Sequence, residues 1–250
     1  MENKLFKYTL RLADNSLILG QRLGEWCGHG PVLEEDIALT NISLDLIGQA
    51  TSLLAYAGKV EGASRDEDRL AFFRTDVEFY NLQLVELPNG HFGDTIARQF
   101  LFDQFNFLMH DALSRSSDEQ LRAIGAKSIK EIAYHRMHSS DWIKRLGDGT
   151  EESHDKIQES INALWEFTGD MFKEDELDEW AKNEKIGPDL NALYPIWKHS
   201  VSEVLKEATL EIPEDKWMQT GGKKGIHTEH LGFILSEMQI LPRTYPEAKW

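Results

Sequence analysis

Cysteine, basic residues and long apolar runs are all scarce in this sequence. A single cysteine, Cys27, excludes an internal disulfide and any zinc or iron–sulfur site built on several cysteines of one chain. The 27 basic residues stand against 43 acidic ones, and the resulting formal net charge of -16 would repel a nucleic-acid backbone. Iron held by carboxylates and histidines stays compatible with this composition.

The uncharged apolar stretches fall far short of the roughly 18 residues that a membrane span needs. The N-terminal stretch MENKLFKYTLRLADNS lacks the basic and then apolar regions of a signal peptide. We therefore expect a cytoplasmic protein whose partners include neither a membrane nor nucleic acid. Apolar residues make up 41% of the 250 residues, with seven Trp and twelve Phe, which suffices for a substantial core.

Apolar residues recur at intervals near 3.6, which predicts helices, and no segment alternates as half-buried strands do. We expect long helices over about 2–24, 33–57, 66–87, 94–113 and 117–146, the last opened by a capping box of Ser117 and Gln120. A sixth follows Thr150, the charged stretch of about 173–189 is a solvated connection or short surface helix, and two more helices cover about 190–210 and 228–241, ended by Pro242.

Short connections between long helices favour antiparallel neighbours packed as a bundle. The sequence shows no repeat, no low-complexity tract and no composition shift that would mark a domain boundary. We therefore predict an all-α protein with one domain over residues 1–250. Its core bundle covers about 2–146, and a C-terminal helical elaboration covers about 150–250.

Four acidic residues occupy helix faces that are otherwise apolar. Each of four predicted long helices carries one of them: Asp14, Asp45, Asp103 and Glu131. An isolated buried carboxylate costs several kcal/mol unless it is paired or neutralised. One inward acid from each of four helices is also the count that a carboxylate-bridged di-iron bundle requires.

The remainder of a di-iron site is missing from the sequence. Two helices should each supply a Glu-x-x-His pair, but Gly48 stands three residues after Asp45 and Tyr134 three residues after Glu131. Three of the four acids are Asp, whose carboxylate reaches less far than that of Glu. We therefore predict no metal here but a buried polar network of degenerate di-iron positions: Asp14, Asp45, Asp103, Glu131, Tyr134 and His135.

Five stretches of the chain also carry a family resemblance. They are YTLRLADNSLILGQRLGEWCGHGPVLEEDIALTNISLDLIGQA, LVELPNGHFGDTIARQF, AKSIKEIAYHRMHSSDWIKRLGDGT, INALWEFTGDMF and TGGKKGIHTEHLGFILSEMQ. Through them the whole chain resembles the C subunits of the bacterial phenylacetyl-CoA epoxidases, multicomponent ring monooxygenases of aerobic phenylacetate degradation.

The resemblance implies a ferritin-like four-helix bundle with additional C-terminal helices and a structural, non-catalytic role. The partner would be a homologous A subunit that carries the di-iron centre and binds the thioester substrate. The complex would insert one oxygen atom of O2 into the aromatic ring, with electrons from NADPH passing through a reductase that holds FAD and an iron–sulfur centre. The chain itself would hold no cofactor, and alone it would be able to form a homodimer.

Two alternatives stay open at this point. The chain could be an autonomous di-iron oxidase or iron-storage protein in which Asp45, Asp103, Glu131 and His135 act as altered ligands. Separately, Lys223 and Lys224 in TGGKKG could contact the phosphates of coenzyme A, although a Gly-rich turn leading into a helix explains the same stretch. Pairing with the partner needs an exposed apolar face, which large residues could provide, although most aromatics at helical spacing belong to the core: Trp26, Phe72, Phe73, Phe79 and Trp142.

Overall fold

The computed structural model describes residues 3–248, and every regular element in that range is a helix. The α-helices are α1 (Lys4–Gly24), α2 (Leu33–Glu61), α3 (Glu67–Phe72), α4 (Gln83–Glu86), α5 (Phe92–Leu113), α6 (Glu119–Gly147), α7 (Glu151–Trp165), α8 (Gly169–Phe172), α9 (Glu176–Asn183), α10 (Leu190–Glu207) and α11 (Glu229–Thr244). Single 3-10 turns cover Asp76–Glu78, Glu166–Thr168 and Gly222–Lys224. The prediction of an all-α protein is confirmed.

The chain divides into two compact units that do not follow chain order. The first unit contains the described residues as far as Pro88 together with those from Gly221 onward, and the second contains Asn89–Thr220. Each unit is built on one pair of long helices, α1 with α2 in the first and α5 with α6 in the second. Paired long helices are the elements of ferritin-like bundles. The assignment of residues 1–250 to one domain stays a prediction.

In the first unit, α1 and α2 run antiparallel. The side chain of Asn3, before α1, donates to the carbonyl of Val60 at 3.0 Å, and the Ser43 hydroxyl donates to the carbonyl of Gly20 at 2.7 Å. The helices approach closely at Gly20, where an added Cβ would lie 3.0 Å from the Ile47 side chain. Helix α1 is buried almost without interruption from Tyr8 to Gly20, as its wide apolar surface predicts.

In the second unit, α5 and α6 are also antiparallel. The Gln104 side chain donates to the Ser140 hydroxyl at 3.0 Å, and further along the pair a Cβ on Gly125 would lie 2.8 Å from the Leu113 backbone. Helix α5 is buried continuously from Thr95 to Asn106. Of the apolar residues on this helix, Ile96 and Phe100 are buried, whereas Phe107 and Leu108 are half-buried.

The predicted helix over 66–87 is wrong, because the chain there forms α3, a 3-10 turn and α4. Side chains of α1 take the backbone donors that a continuous helix would use. The amide of Tyr80 donates to the Asp14 carboxylate at 2.9 Å, and the amide of Leu82 donates to the Asn15 side chain at 2.8 Å. Polar side chains of α1 therefore satisfy backbone amides of this segment and stabilise its non-helical path.

Several predicted helix ends differ from those observed, three of them for a reason that the structure shows. Helix α2 continues through Gly58 and ends before Gly62, whose left-handed φ of 71° suits a glycine C-cap. Asp118 rather than Ser117 caps α6 by accepting from the Leu121 amide at 2.8 Å. Helix α11 passes Pro242 and ends at Thr244, since a proline so near the C-terminus removes only one hydrogen bond of the last turn.

Helix α2 meets the length and composition of a membrane span. An 18-residue window within it has a mean hydropathy of 1.2, and 44% of that window is buried. Core helices of soluble proteins meet the same requirement. Packing within the first unit does not cover every apolar side chain of α2, since Leu33, Ile37 and Leu44 are exposed.

Candidate functional site

The carboxylate of Asp14 on α1 is paired with a cationic side chain. The carboxylate is fully buried and forms a two-pronged ion pair with the Arg74 guanidinium, in which Arg74 Nη1 lies 3.0 Å from Asp14 Oδ2. The Tyr80 amide is a third donor. Arg74 is also buried, and its guanidinium stacks on the Phe79 ring at 4.0 Å. A guanidinium bound on both oxygens leaves Asp14 no free edge for a metal ion.

Asp103 on α5 is equally buried but has only neutral hydrogen-bond donors. Its Oδ1 accepts from the Gln99 side chain at 2.6 Å, and its Oδ2 accepts from the Ser139 hydroxyl of α6 at 2.8 Å. Burial raises the pKa of Asp103 to about 7, even though His135 and these two donors act in the opposite direction. Below pH 7 a proton therefore neutralises the Asp103 carboxyl group, as Arg74 neutralises that of Asp14.

Two buried histidines accompany Asp103 in the second unit. His135 on α6 is fully buried and acts electrostatically on both Asp103 and His110. Burial lowers the pKa of His110 to about 4, against the raising effect of its hydrogen bond with the Asn106 carbonyl. His110 is therefore a neutral imidazole at physiological pH.

The other predicted site residues occupy less buried positions. Asp45 on α2 and Glu131 on α6 are half-buried. Tyr134 is 43% exposed, with its ring 6.4 Å from that of His135 and 6.1 Å from that of His138. The structure thus brings Asp103 and His135 together within the second unit but turns Tyr134 outward.

These residues do not fit a di-iron centre. Gly48 stands at an exposed position where an added Cβ would meet no atom within 4 Å, so the site of a missing imidazole on α2 faces away from the unit's core. Asp14 is held by Arg74, and Asp103 is held by neutral groups. Within residues 3–248, no group of three or more His, Cys, Asp or Glu side chains is arranged to bind a metal ion.

The two lysines of TGGKKG differ in their surroundings. They lie in the 3-10 turn Gly222–Lys224, between Gly221 and Gly225, which both have positive φ. Lys223 is 6% exposed, and its carbonyl accepts a hydrogen bond from Arg11. Lys224 is exposed, so it is the lysine that presents its side chain to solvent. Contact with coenzyme A stays a prediction for both.

Comparison with known proteins gives the chain its family. All 250 residues match the family described as Phenylacetic acid catabolic protein. The chain belongs to this family. The C subunit of the 1,2-phenylacetyl-CoA epoxidase of Escherichia coli (strain K12) is 51% identical over 248 residues, covering 99% of this chain and 100% of the relative. The resemblance inferred from the sequence motifs is confirmed.

The sequence analysis missed some hydrogen-bond partners of the buried acids. Arg74, Gln99 and Ser139 satisfy the two buried carboxyl groups but lie outside the pattern of acids and imidazoles typical of a metal site. Their helical spacing offers one signal, since Gln99 precedes Asp103 by one turn. No spacing in the sequence indicates that Arg74 pairs with Asp14, because the segment around Arg74 is irregular.

Proposed function

We propose that the chain is a non-catalytic subunit of a cytoplasmic phenylacetyl-CoA epoxidase in aerobic phenylacetate catabolism, and that it pairs with and stabilises the homologous di-iron A subunit. Full-length similarity to a protein named as the C subunit of this enzyme supports the assignment. The A subunit would carry the metal and the thioester, and electrons from NADPH would reach it through the separate reductase with its FAD and iron–sulfur groups. No cofactor is assigned to this chain.

The Asp14–Arg74 ion pair is the observation that carries the non-catalytic role. In a carboxylate-bridged di-iron bundle, this inward acid would bind iron. Here an arginine of the same unit binds both of its oxygens inside the core. The alternative of an autonomous di-iron or iron-storage protein would have to use Asp45, Asp103, Glu131 and His135 without Asp14, whereas a carboxylate-bridged di-iron bundle requires one inward acid from each of four helices.

The exposed face of α2 supports pairing with another helical subunit. Leu33, Ile37 and Leu44 are 71%, 52% and 60% exposed, and Gly48 continues the same stripe. Exposed apolar side chains at helical spacing are typical of interaction surfaces. Of the aromatic residues considered for such a face, Phe79 is buried, and the half-buried ones are Trp26, Phe72, Phe73 and Trp142.

Co-expression with the A subunit tests the pairing. The two chains should elute as one complex in size-exclusion chromatography, and Ile37→Glu should weaken the complex at least about tenfold in Kd because it buries a charge at the contact. Ile196→Glu on α10 is a matched control, since Ile196 is 53% exposed and Ile37 is 52% exposed. Failure of the wild-type chain to bind would contradict the subunit role, and equal effects of both substitutions would contradict the use of α2.

Metal analysis separates the proposal from its alternative. The chain is incubated with Fe(II) under anaerobic conditions, desalted and analysed for iron. We expect less than stoichiometric iron, because the inward acids already have partners. About two tightly held irons per chain would establish the di-iron alternative. The A subunit, treated in parallel, is the positive control for reconstitution.

A further inference from the structure

The first unit contains a buried pair of ionisable groups outside the candidate site. The side chain of Glu86 on α4 is fully buried, and that of His227, in the loop before α11, is 5% exposed. Nδ1 of His227 lies 2.9 Å from Glu86 Oε2, and Nε2 lies 2.9 Å from the carbonyl oxygen of Phe79. Both ring nitrogens therefore face acceptor oxygens.

The protonation state of His227 follows from this geometry. A carbonyl oxygen only accepts, so Nε2 must carry a proton. The Glu86 carboxylate accepts from the Asn81 side chain at 2.8 Å and from the Thr228 amide at 2.6 Å, as an ionised carboxylate does. Nδ1 then donates to Glu86 as well, and the ring is an imidazolium in a buried ion pair.

The charges around the pair favour this state. Burial by itself would lower the pKa of His227, but the hydrogen bond and charge of Glu86, the Phe79 carbonyl and the charge of Asp14 outweigh burial and raise it. Arg22 of α1 donates to the backbone carbonyl of Glu86 at 3.0 and 2.9 Å, and it is the cation nearest to the pair in these contacts. Asp14 is itself paired with Arg74.

The pair joins segments that are far apart in the chain. His227 belongs to the segment that returns to the first unit at Gly221, and its two acceptors lie between Phe79 and Glu86. Beside it, the Gln83 side chain donates to the carbonyl of Ile226 at 2.9 Å. Helix α11 begins two residues after His227. Loss of either ring proton would leave a buried acceptor without its donor.

We propose that the proton on His227 is a conformational switch: the loop 221–228 and the start of α11 are fixed in the first unit while His227 is an imidazolium, and they open when it loses that proton. The inference goes beyond the proposed function and does not depend on the identity of the partner subunit. The sign follows from the raised pKa of folded His227. The stabilisation is complete below the ordinary value of 6.5 and is lost as the pH rises through the folded value.

Two measurements on the full-length chain test the switch. In ¹⁵N NMR at pH 6.5, both ring nitrogens of His227 should show imidazolium shifts. In hydrogen exchange corrected for the intrinsic pH dependence, opening of residues 226–235 should increase up to about tenfold per pH unit from pH 6.5 to the folded pKa and then level off. Peptides of α6 provide the internal reference.

Substitutions complete the test. His227→Gln should abolish the pH dependence of opening in residues 226–235, whereas His29→Gln, at an exposed position of the same unit, should retain it. A neutral His227 ring at pH 6.5, or wild-type exchange in this segment that does not change with pH, would overturn the proposal. If His227→Gln does not fold, the wild-type titration alone decides between these outcomes.

Discussion

Replacement of Asp103 by Asn removes a buried carboxyl group whose ionisation destabilises the folded chain. The folded pKa of about 7 exceeds the ordinary value of 3.8 because the group is buried. At about 1.36 kcal/mol per pH unit, this difference corresponds to about 4 kcal/mol of stability once the pH is above 7. The contribution of Asp103 is complete below pH 3.8, declines as the pH rises and is lost above the folded value.

The amide introduced by Asp103→Asn does not titrate, so the stability of the variant does not fall in this way as the pH rises. Its NH2 group faces one of the two donors, Gln99 or Ser139, which costs about 1–3 kcal/mol at every pH. The variant should therefore be close to wild type in stability at pH 5 and gain about 2–3 kcal/mol on it between pH 5 and pH 8. The change with pH is the sharper quantity, because the hydrogen-bond cost cancels.

Urea denaturation followed by circular dichroism at the two pH values measures this change, with the slope checked for constancy. Asp111→Asn is the matched control on the same helix, because the hydrogen bond with Arg115 lowers the pKa of half-buried Asp111. That control should gain nothing relative to wild type as the pH rises. A constant difference between Asp103→Asn and wild type from pH 5 to pH 8 would refute the assignment of a protonated Asp103.

Three further predictions concern the other buried groups and the loop. Arg74→Met should destabilise the chain by about 3–5 kcal/mol in urea denaturation, because Asp14 is left buried without its cation, and adding Asp14→Asn should restore part of the loss. His110 has a pKa of about 4, so its contribution is complete above pH 6.5 and falls with decreasing pH; His110→Gln should lose about 2–3 kcal/mol less than wild type between pH 7.5 and pH 4.5 in the same assay. Lys224→Ala in the assembled epoxidase should raise the KM for the CoA ester and leave assembly unchanged, and an unaltered KM would end that candidate contact.

Hydrophobic periodicity predicted most of the helices, because local sequence signals determine where a helix forms. Helices α1 and α5 begin and end close to their predicted limits, and α7 begins after Thr150 as predicted. The prediction of a helix over 66–87 failed because backbone donors of this segment bind Asp14 and Asn15, which are more than 60 residues away in the chain. A periodicity argument has no access to such contacts.

For the candidate site, the sequence indicated which acids are buried but not how each is neutralised. Asp14 and Asp103 occupy similar apolar faces in the sequence, and both are fully buried in the structure. One has an arginine and the other has neutral donors, a difference that depends on which residues the fold places within about 3 Å. The Glu86–His227 pair joins residues that are even farther apart in the chain, since their positions differ by 141.

The discontinuous first unit has a consequence for synthesis on the ribosome. Residues 89–220 form one uninterrupted segment that can become compact as soon as it has left the exit tunnel. The first unit cannot, because Glu86 and Gln83 emerge long before the loop that contains His227. At about 5–20 residues per second, the 132 intervening residues take roughly 7–26 s to translate. During that interval α1, α3 and α4 lack the packing contacts that α11 makes with them in the folded unit.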